Sequence, residues 1–190
     1  MPKLIHLISL FRCWSHKLPY SKGIRIYPRV QFRGKGNIRL GKNTCIESEC
    51  LLVAHRGGKI ILGENSQLSQ FSRIGAHGNV CIGNNVLTGP HVFVADYNHE
   101  YKNPEIPVMF QGDTEVRVFE DGTSLHIGDD SWIGTNVVVV GNVRIGKHCV
   151  IGANSVVTQS IPDYSVAVGC PAKVVKRYNS DAGLWEAVEK

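Results

Sequence analysis

The sequence has little that would place it in a membrane, a zinc site or a disordered tail. No stretch approaches the roughly 20 apolar residues of a transmembrane helix. The apolar opening, MPKLIHLISLFRCW, is interrupted by His6 and followed by Arg12, His16 and Lys17 with no small-residue cleavage site, which argues against a secretory signal. None of the six cysteines (13, 45, 50, 81, 149 and 170) forms a Cys-x-x-Cys pair, so a zinc knuckle or thioredoxin-type site is not suggested. Cys45, Cys81 and Cys149 sit in strand-like runs, as small buried hydrophobes do, and a reducing compartment is expected. Charged residues are only 19%, but hydrophobic residues reach 43%, enough for a core and too many for a disordered chain. There are 20 glycines without a Gly-X-Y period, which excludes collagen and points to frequent tight corners. The balance of 21 basic to 16 acidic residues suits an anionic ligand, a membrane surface or nucleic acid, and selects none of them.

A six-residue repeat fills most of the 190 residues. From 127 to 157 an aliphatic residue falls at every sixth position: Ile127, Ile133, Val139, Ile145, Ile151 and Val157. Glycine follows four of these, at 128, 134, 146 and 152. Upstream the beat comes in triplets starting at Leu40, Leu62 and Ile82, so these coils are 22 and 20 residues long against an ideal 18. Neither a 2.0 nor a 3.6 period explains this spacing; a three-sided solenoid does. Each aliphatic residue points into the prism. The position two before it takes small side chains such as Ser131, Val137, Val143, Cys149 and Ser155. Gly63-Glu64-Asn65 and Gly83-Asn84-Asn85 mark corners with left-handed backbone. About five coils are expected, with a less regular start at 24–32 and an excursion at 95–125, where the beat breaks around Pro104 and Pro107.

The pattern over about 30–177 resembles the hexapeptide-repeat acyltransferases. That resemblance implies an all-β fold, a left-handed parallel β-helix with one long loop and short terminal appendages. In galactoside and maltose acetyltransferases a catalytic histidine follows a hexad as the chain leaves the helix; ungapped alignment from Ile82-Gly83 puts it on His99. Envelope-polysaccharide O-acetyltransferases commonly show Asp-His-Asn-His here; this chain has Asp96-Tyr97-Asn98-His99. Histidine suits a general base at neutral pH. Asp96 and Glu100 are candidates to orient it, or are solvated loop carboxylates, and His99 itself has the alternative of an ordinary surface histidine. The other histidines, His55 and His77 among them, share no spacing and read as structural.

The resemblance also implies the donor side, acetyl-CoA without a metal. Thr135 would lend a backbone N–H to the oxyanion, and Ala153 and Thr158 lie in the stretch that contacts pantetheine. Lys173 and Lys176, in the closing Gly169-Cys170-Pro171-Ala172-Lys173 motif, would face the CoA phosphates. Trp132, with Asp96, would line the acceptor pocket; a surface aromatic is the alternative. A homotrimer with sites between subunits, a saccharide acceptor, no nucleic-acid partner and a cytoplasmic location follow from the same resemblance. The expected activity is O-acetylation of a sugar hydroxyl in an envelope polysaccharide or its precursor. Acetylation of a small molecule or a non-catalytic binding solenoid are the alternatives. The γ-type carbonic anhydrases share the fold, but no histidine pair here has their five-residue spacing.

The chain divides into an appendage at 1–22, the β-helix at 23–177 and a polar tail at 178–190 with a helical turn. Residues 3–14 read as an amphipathic helix with Leu4, Leu7, Ile8 and Phe11 on one face. It would cap the open end of the solenoid or, alternatively, anchor residues 3–17 to a membrane surface with Lys3, Arg12 and Lys17.

Overall fold

The computed structural model describes residues 2–15, 17–34, 37–55 and 57–188, without the side chains of Pro2, Lys3 and His6. The hexad residues form a three-sided parallel β-helix of about seven turns. Each coil contributes one short strand to each of three sheets. The first coil supplies Arg25–Ile26, Gln31–Arg33 and Ile38–Leu40, and is as regular as those above it. The third sheet stacks Leu40 on Leu62, Ile82, Ile127 and Ile145 in exact register with the hexad spacing. The second stacks Phe32, Leu52, Ile74, Val94, Val139 and Val157 in the same way. All these side chains are buried, and each contributes about 1.5–3 kcal/mol of transfer free energy.

Thr88 is the one polar residue on this inward beat. It remains buried because its Oγ1 accepts from the Ser69 backbone N–H at 2.9 Å. The small positions two before the beat do more than fit. Ser66 Oγ donates to the Gly83 carbonyl at 2.7 Å and accepts from Val86 N at 3.0 Å, and Ser131 joins Gly146 and Cys149 likewise. Asn65 and Asn85 are left-handed at their corners, as expected, and an amide ladder runs Asn43 to Asn65 to Asn85 to Asp130. Gly63 and Gly83 are not left-handed. They are glycine because a Cβ would stand 2.5 Å from Gly83 backbone and 2.2 Å from Asp129, respectively.

Both ends of the prism differ from expectation. The N-terminal helix, Pro2–Ser15, does cap the first coil, but with the face opposite the predicted one. Ser9 and Cys13 are buried, whereas Leu4, Leu7, Ile8 and Phe11 are exposed. The first coil has no coil beneath it, so its edge presents unpaired backbone groups that an apolar face cannot satisfy. Ser9 Oγ accepts from Ile26 N at 2.9 Å, and the Arg12 guanidinium donates to the Tyr27 carbonyl at 2.5 Å. The Lys3 side chain and His16, part of the anchor reading, lie outside the described residues. At the other end the tail is a β-hairpin and not a helical turn. Ser165–Val168 continues the first sheet, Lys173–Asn179 pairs with it antiparallel, and Leu184–Ala187 pairs with that strand. Gly183 at φ 66° makes the turn, and Trp185 packs on Tyr178. Among the described residues no helix is long and apolar enough to cross a membrane.

Candidate active site

The prism opens between Phe93–Ala95 and Leu125–Ile127, so the excursion spans 96–124. Its base is closed by one carboxylate. Asp96 is buried and accepts from the backbone N–H of His77 and Gly78, each at 2.8 Å, and from Ser124 Oγ at 2.5 Å. Since Ser124 is the last residue of the excursion, Asp96 ties both of its ends to the coil below. Its oxygens are thereby engaged in structure, although its residue borders a cleft with Asn98, Lys102, Thr114 and Arg117.

Beyond the base, 98–100 and 112–114 run back along each other. Glu100 N donates to the Gly112 carbonyl at 2.9 Å and Thr114 N to the Asn98 carbonyl at 2.8 Å, around an antiparallel bridge of His99 with Asp113. The return is made by the turn Val108–Gln111, which Gln111 Nε2 fastens to the carbonyls of Asn103 and Ile106.

This pairing sets the His99 geometry. His99 Nδ1 lies 2.9 Å from one Asp113 carboxylate oxygen. The His99 side chain is 70% exposed and that of Asp113 only 16%. A proton on Nδ1 donated to Asp113 leaves Nε2 as the basic nitrogen toward solvent, a tautomer assigned from the hydrogen-bond network. The orienting carboxylate is therefore Asp113, and neither Asp96 nor Glu100. Glu100 instead accepts from the backbone N–H of Tyr101 and Lys102, which hold its carboxyl below the usual range.

The second Asp113 oxygen lies 3.8 Å from His77 Nδ1. His77 stacks on Tyr97 with centroids 3.7 Å apart, and His55 meets His77 edge-on at 5.2 Å. Tyr97 can lie down on the prism because Gly75 has no side chain: a Cβ there would approach the Tyr97 hydroxyl to 2.8 Å. His55, His77 and Tyr97 stand 22 and 20 residues apart, which are the coil lengths, so they form one column on successive coils. That spacing was a usable signal. Asp113 had none, because it meets His99 across a loop where the repeat is suspended.

The remaining predicted residues lie elsewhere on the chain. Thr135 and Ala153 are exposed in one column at the corner between the first and second sheets, where Asn154 N donates to the Thr135 carbonyl. Gly89 and Gly134 permit this stacking: a Cβ would come 2.6 Å from Thr135 N and Ala153 N. Thr158 is exposed just after the strand Val156–Val157. Trp132 is 53% exposed on the outer face of the first sheet, in register between Leu87 and Val150. Lys173 and Lys176 are exposed on the C-terminal hairpin, Lys173 beside a groove lined by Val168, Pro171, Val174 and Val188. One chain thus carries its histidine at the corner between the second and third sheets, and Thr135 with Ala153 at the opposite edge of the second.

Residues 124–159 match the family model described as bacterial transferase hexapeptide (six repeats). The chain is 35% identical over 161 residues to the putative lipopolysaccharide biosynthesis O-acetyl transferase WbbJ of Escherichia coli, covering 81% of this chain and 79% of that protein. Among solved structures, AntD, an N-acyltransferase of Bacillus cereus in complex with dTDP and 3-hydroxybutyryl-CoA, has a TM-score of 0.73 at 17% identity, over 92% and 90% of the two chains. Perosamine N-acetyltransferase of Caulobacter crescentus, in complex with CoA and GDP-perosamine, has a TM-score of 0.59 at 19% identity, over 88% of this chain and 62% of that one. These two likenesses bear on the fold alone. The extent of the WbbJ match, with the hexapeptide model over 124–159, places the chain in the hexapeptide-repeat acyltransferase family.

Proposed function

We propose that the protein is an acetyl-CoA-dependent O-acetyltransferase acting on a sugar hydroxyl of a cell-envelope polysaccharide or its precursor. The observation that carries this reading is the exposed His99 imidazole fixed by Asp113 at 2.9 Å. A nearby saccharide hydroxyl gives its proton to His99 Nε2 as its oxygen bonds to the thioester carbonyl carbon. The tetrahedral oxyanion is met by the Thr135 backbone N–H. Collapse breaks the carbon–sulfur bond, and the imidazolium returns the proton to the leaving CoA thiolate. The Asp113 carboxylate holds the ring and balances its transient charge.

His99 and Thr135 sit at opposite edges of one sheet, so this reading calls for two chains side by side, as in a closed homotrimer. Ala153 and Thr158 then border the pantetheine arm, and Lys173 and Lys176 offer point charges to its phosphates. Exposed Trp132 gives a sugar an apolar face to lie on. The relation to WbbJ, a protein named for lipopolysaccharide biosynthesis, supports an envelope glycan as acceptor.

The test is thiol release from acetyl-CoA with a panel of envelope glycans, lipid-linked saccharides and amino sugars, beside His99→Ala. Release that depends on a hydroxyl acceptor and is lost in the variant is expected. Release with amino sugars alone replaces O- by N-acetylation, and no release with any acceptor overturns the reading.

A further inference from the structure

The helix Pro2–Ser15 has two faces with different fates. Its Ser9 and Cys13 side is buried on the first coil. The other side carries Leu4, Leu7, Ile8, Phe11 and Trp14 at helical spacing, and nothing among the described residues covers it: Phe11 is 65% and Trp14 77% exposed. A single polypeptide gains nothing from holding such a stripe against water.

A second observation indicates what covers it. No Asp or Glu occurs before Glu47, yet the first 46 residues hold ten of the 21 Lys and Arg. The remaining 144 residues carry 11 basic and 16 acidic side chains, so the net positive charge lies wholly in the first 46 residues, the stretch that forms the helix and the first coil. Arg29 and Lys42 are paired with Glu49 and Glu64, while Lys17, Lys22 and Arg33 are exposed. A second copy of this chain would bring the same positive charge to the interface, and an acidic soluble partner would leave the apolar stripe without a match. An anionic bilayer meets both halves, with acyl chains for the stripe and headgroups for the cations. Tryptophan and phenylalanine suit the water–lipid boundary.

We propose that Pro2–Ser15 is a bilayer-surface anchor. It lies flat on an anionic membrane with Leu7, Phe11 and Trp14 in the lipid, while Ser9, Arg12 and Cys13 hold it on the prism. Seated this way, the long axis of the prism stands away from the membrane. The anchor is independent of what the loop catalyses.

Flotation of the whole protein with vesicles of phosphatidylcholine, with and without phosphatidylglycerol, tests it. The wild type should float with the anionic vesicles, less with the neutral ones, and progressively less as salt rises. Leu7→Ser/Phe11→Ser/Trp14→Ser should lower the partition coefficient about tenfold or more. Because these side chains are exposed, unfolding midpoint and oligomeric state should stay unchanged; Lys17→Glu/Lys22→Glu is a second variant that leaves the helix faces intact and should also weaken binding. A wild type that stays unbound by anionic vesicles overturns the proposal, as does a triple variant that floats like the wild type. A triple variant whose oligomeric state changes, with no vesicle binding by either protein, assigns the stripe to a second copy instead.

Discussion

In the coils, buried hydroxyls are spent on the neighbouring coil; in the excursion at 96–124, an exposed imidazole nitrogen is left over. Ser66, Ser131 and Thr88 are buried, and their hydroxyls bridge successive coils. His99 has one nitrogen held by Asp113 and the rest of a largely exposed ring open to solvent. A solenoid whose every inward position serves the neighbouring coil has no inward side chain to lend as a base. The repeat therefore has to be broken for the chain to acquire a base, and the break falls where a hairpin can be pinned at both ends by a single carboxylate. The comparison teaches that regularity marks the scaffold here and irregularity the place of the proposed base.

The sharpest way to break this comparison is to remove the proposed base. His99→Ala should lower turnover about 10²–10⁴-fold, the range for a lost general base, with an unchanged thermal unfolding midpoint. A variant that turns over like the wild type would move the chemistry out of the excursion. The converse substitution lies in the prism. Ile46→Ala empties a fully buried hexad position and should cost about 2–5 kcal/mol in denaturant unfolding, while turnover per folded molecule stays near wild type. If Ile46→Ala instead reduced turnover without loss of stability, the division between scaffold and site would not hold.

Two aspartates lie on the border between the regions. Asp113→Asn keeps an acceptor for His99 Nδ1 but removes the charge; kcat should fall about tenfold, less than on loss of the base itself, with the KM for acetyl-CoA unaltered. An unchanged kcat would make Asp113 a loop brace only. Asp96→Asn replaces an acceptor of three hydrogen bonds by a group with one acceptor oxygen and an NH2. It should destabilise by about 1–3 kcal/mol, read by chemical denaturation, and expose the base of the loop to proteolysis. Resistance equal to wild type would mean that Ser124 and the hairpin close the loop without it.

What the sequence shows and hides follows the same line. The hexads at 127–157 and the triplets from Leu40 predict the register of the sheets residue by residue, because one side chain per face must point inward and a slip by one would turn it out. The place where His99 leaves the prism is legible as the point where that beat stops. Its partner is not, since Asp113 reaches it through a hairpin whose closure depends on Gln111 and Asp96, contacts with no period. The N-terminal helix is legible as a helix but not in its orientation. Hydrophobicity selects the stripe through Leu7 and Phe11, whereas the open end of a sheet selects hydrogen-bonding groups, and Ser9 with Arg12 supplied them.

The smallest expected effect concerns the far end of the excursion. Asp121 accepts from Thr123 Oγ1 at 2.6 Å, from Arg144 at 2.6 Å and from Thr123 N at 2.9 Å, and these contacts hold its carboxyl far below the usual carboxylate range. The clamp is exposed, so solvent screens it and its contribution is slight. A folded-state pKa below the unfolded one means that this contribution is complete above the unfolded value, about pH 3.9, and fades as the pH falls from there toward the folded value. The difference in melting temperature between wild type and Asp121→Asn should accordingly be small, constant and positive near neutrality, and should shrink below about pH 4. A difference that persists undiminished at the lowest pH the fold survives would mean that the carboxylate charge is not what fastens the excursion to Arg144. The end of the loop would then be held, like the coils, by shape and neutral hydrogen bonds alone.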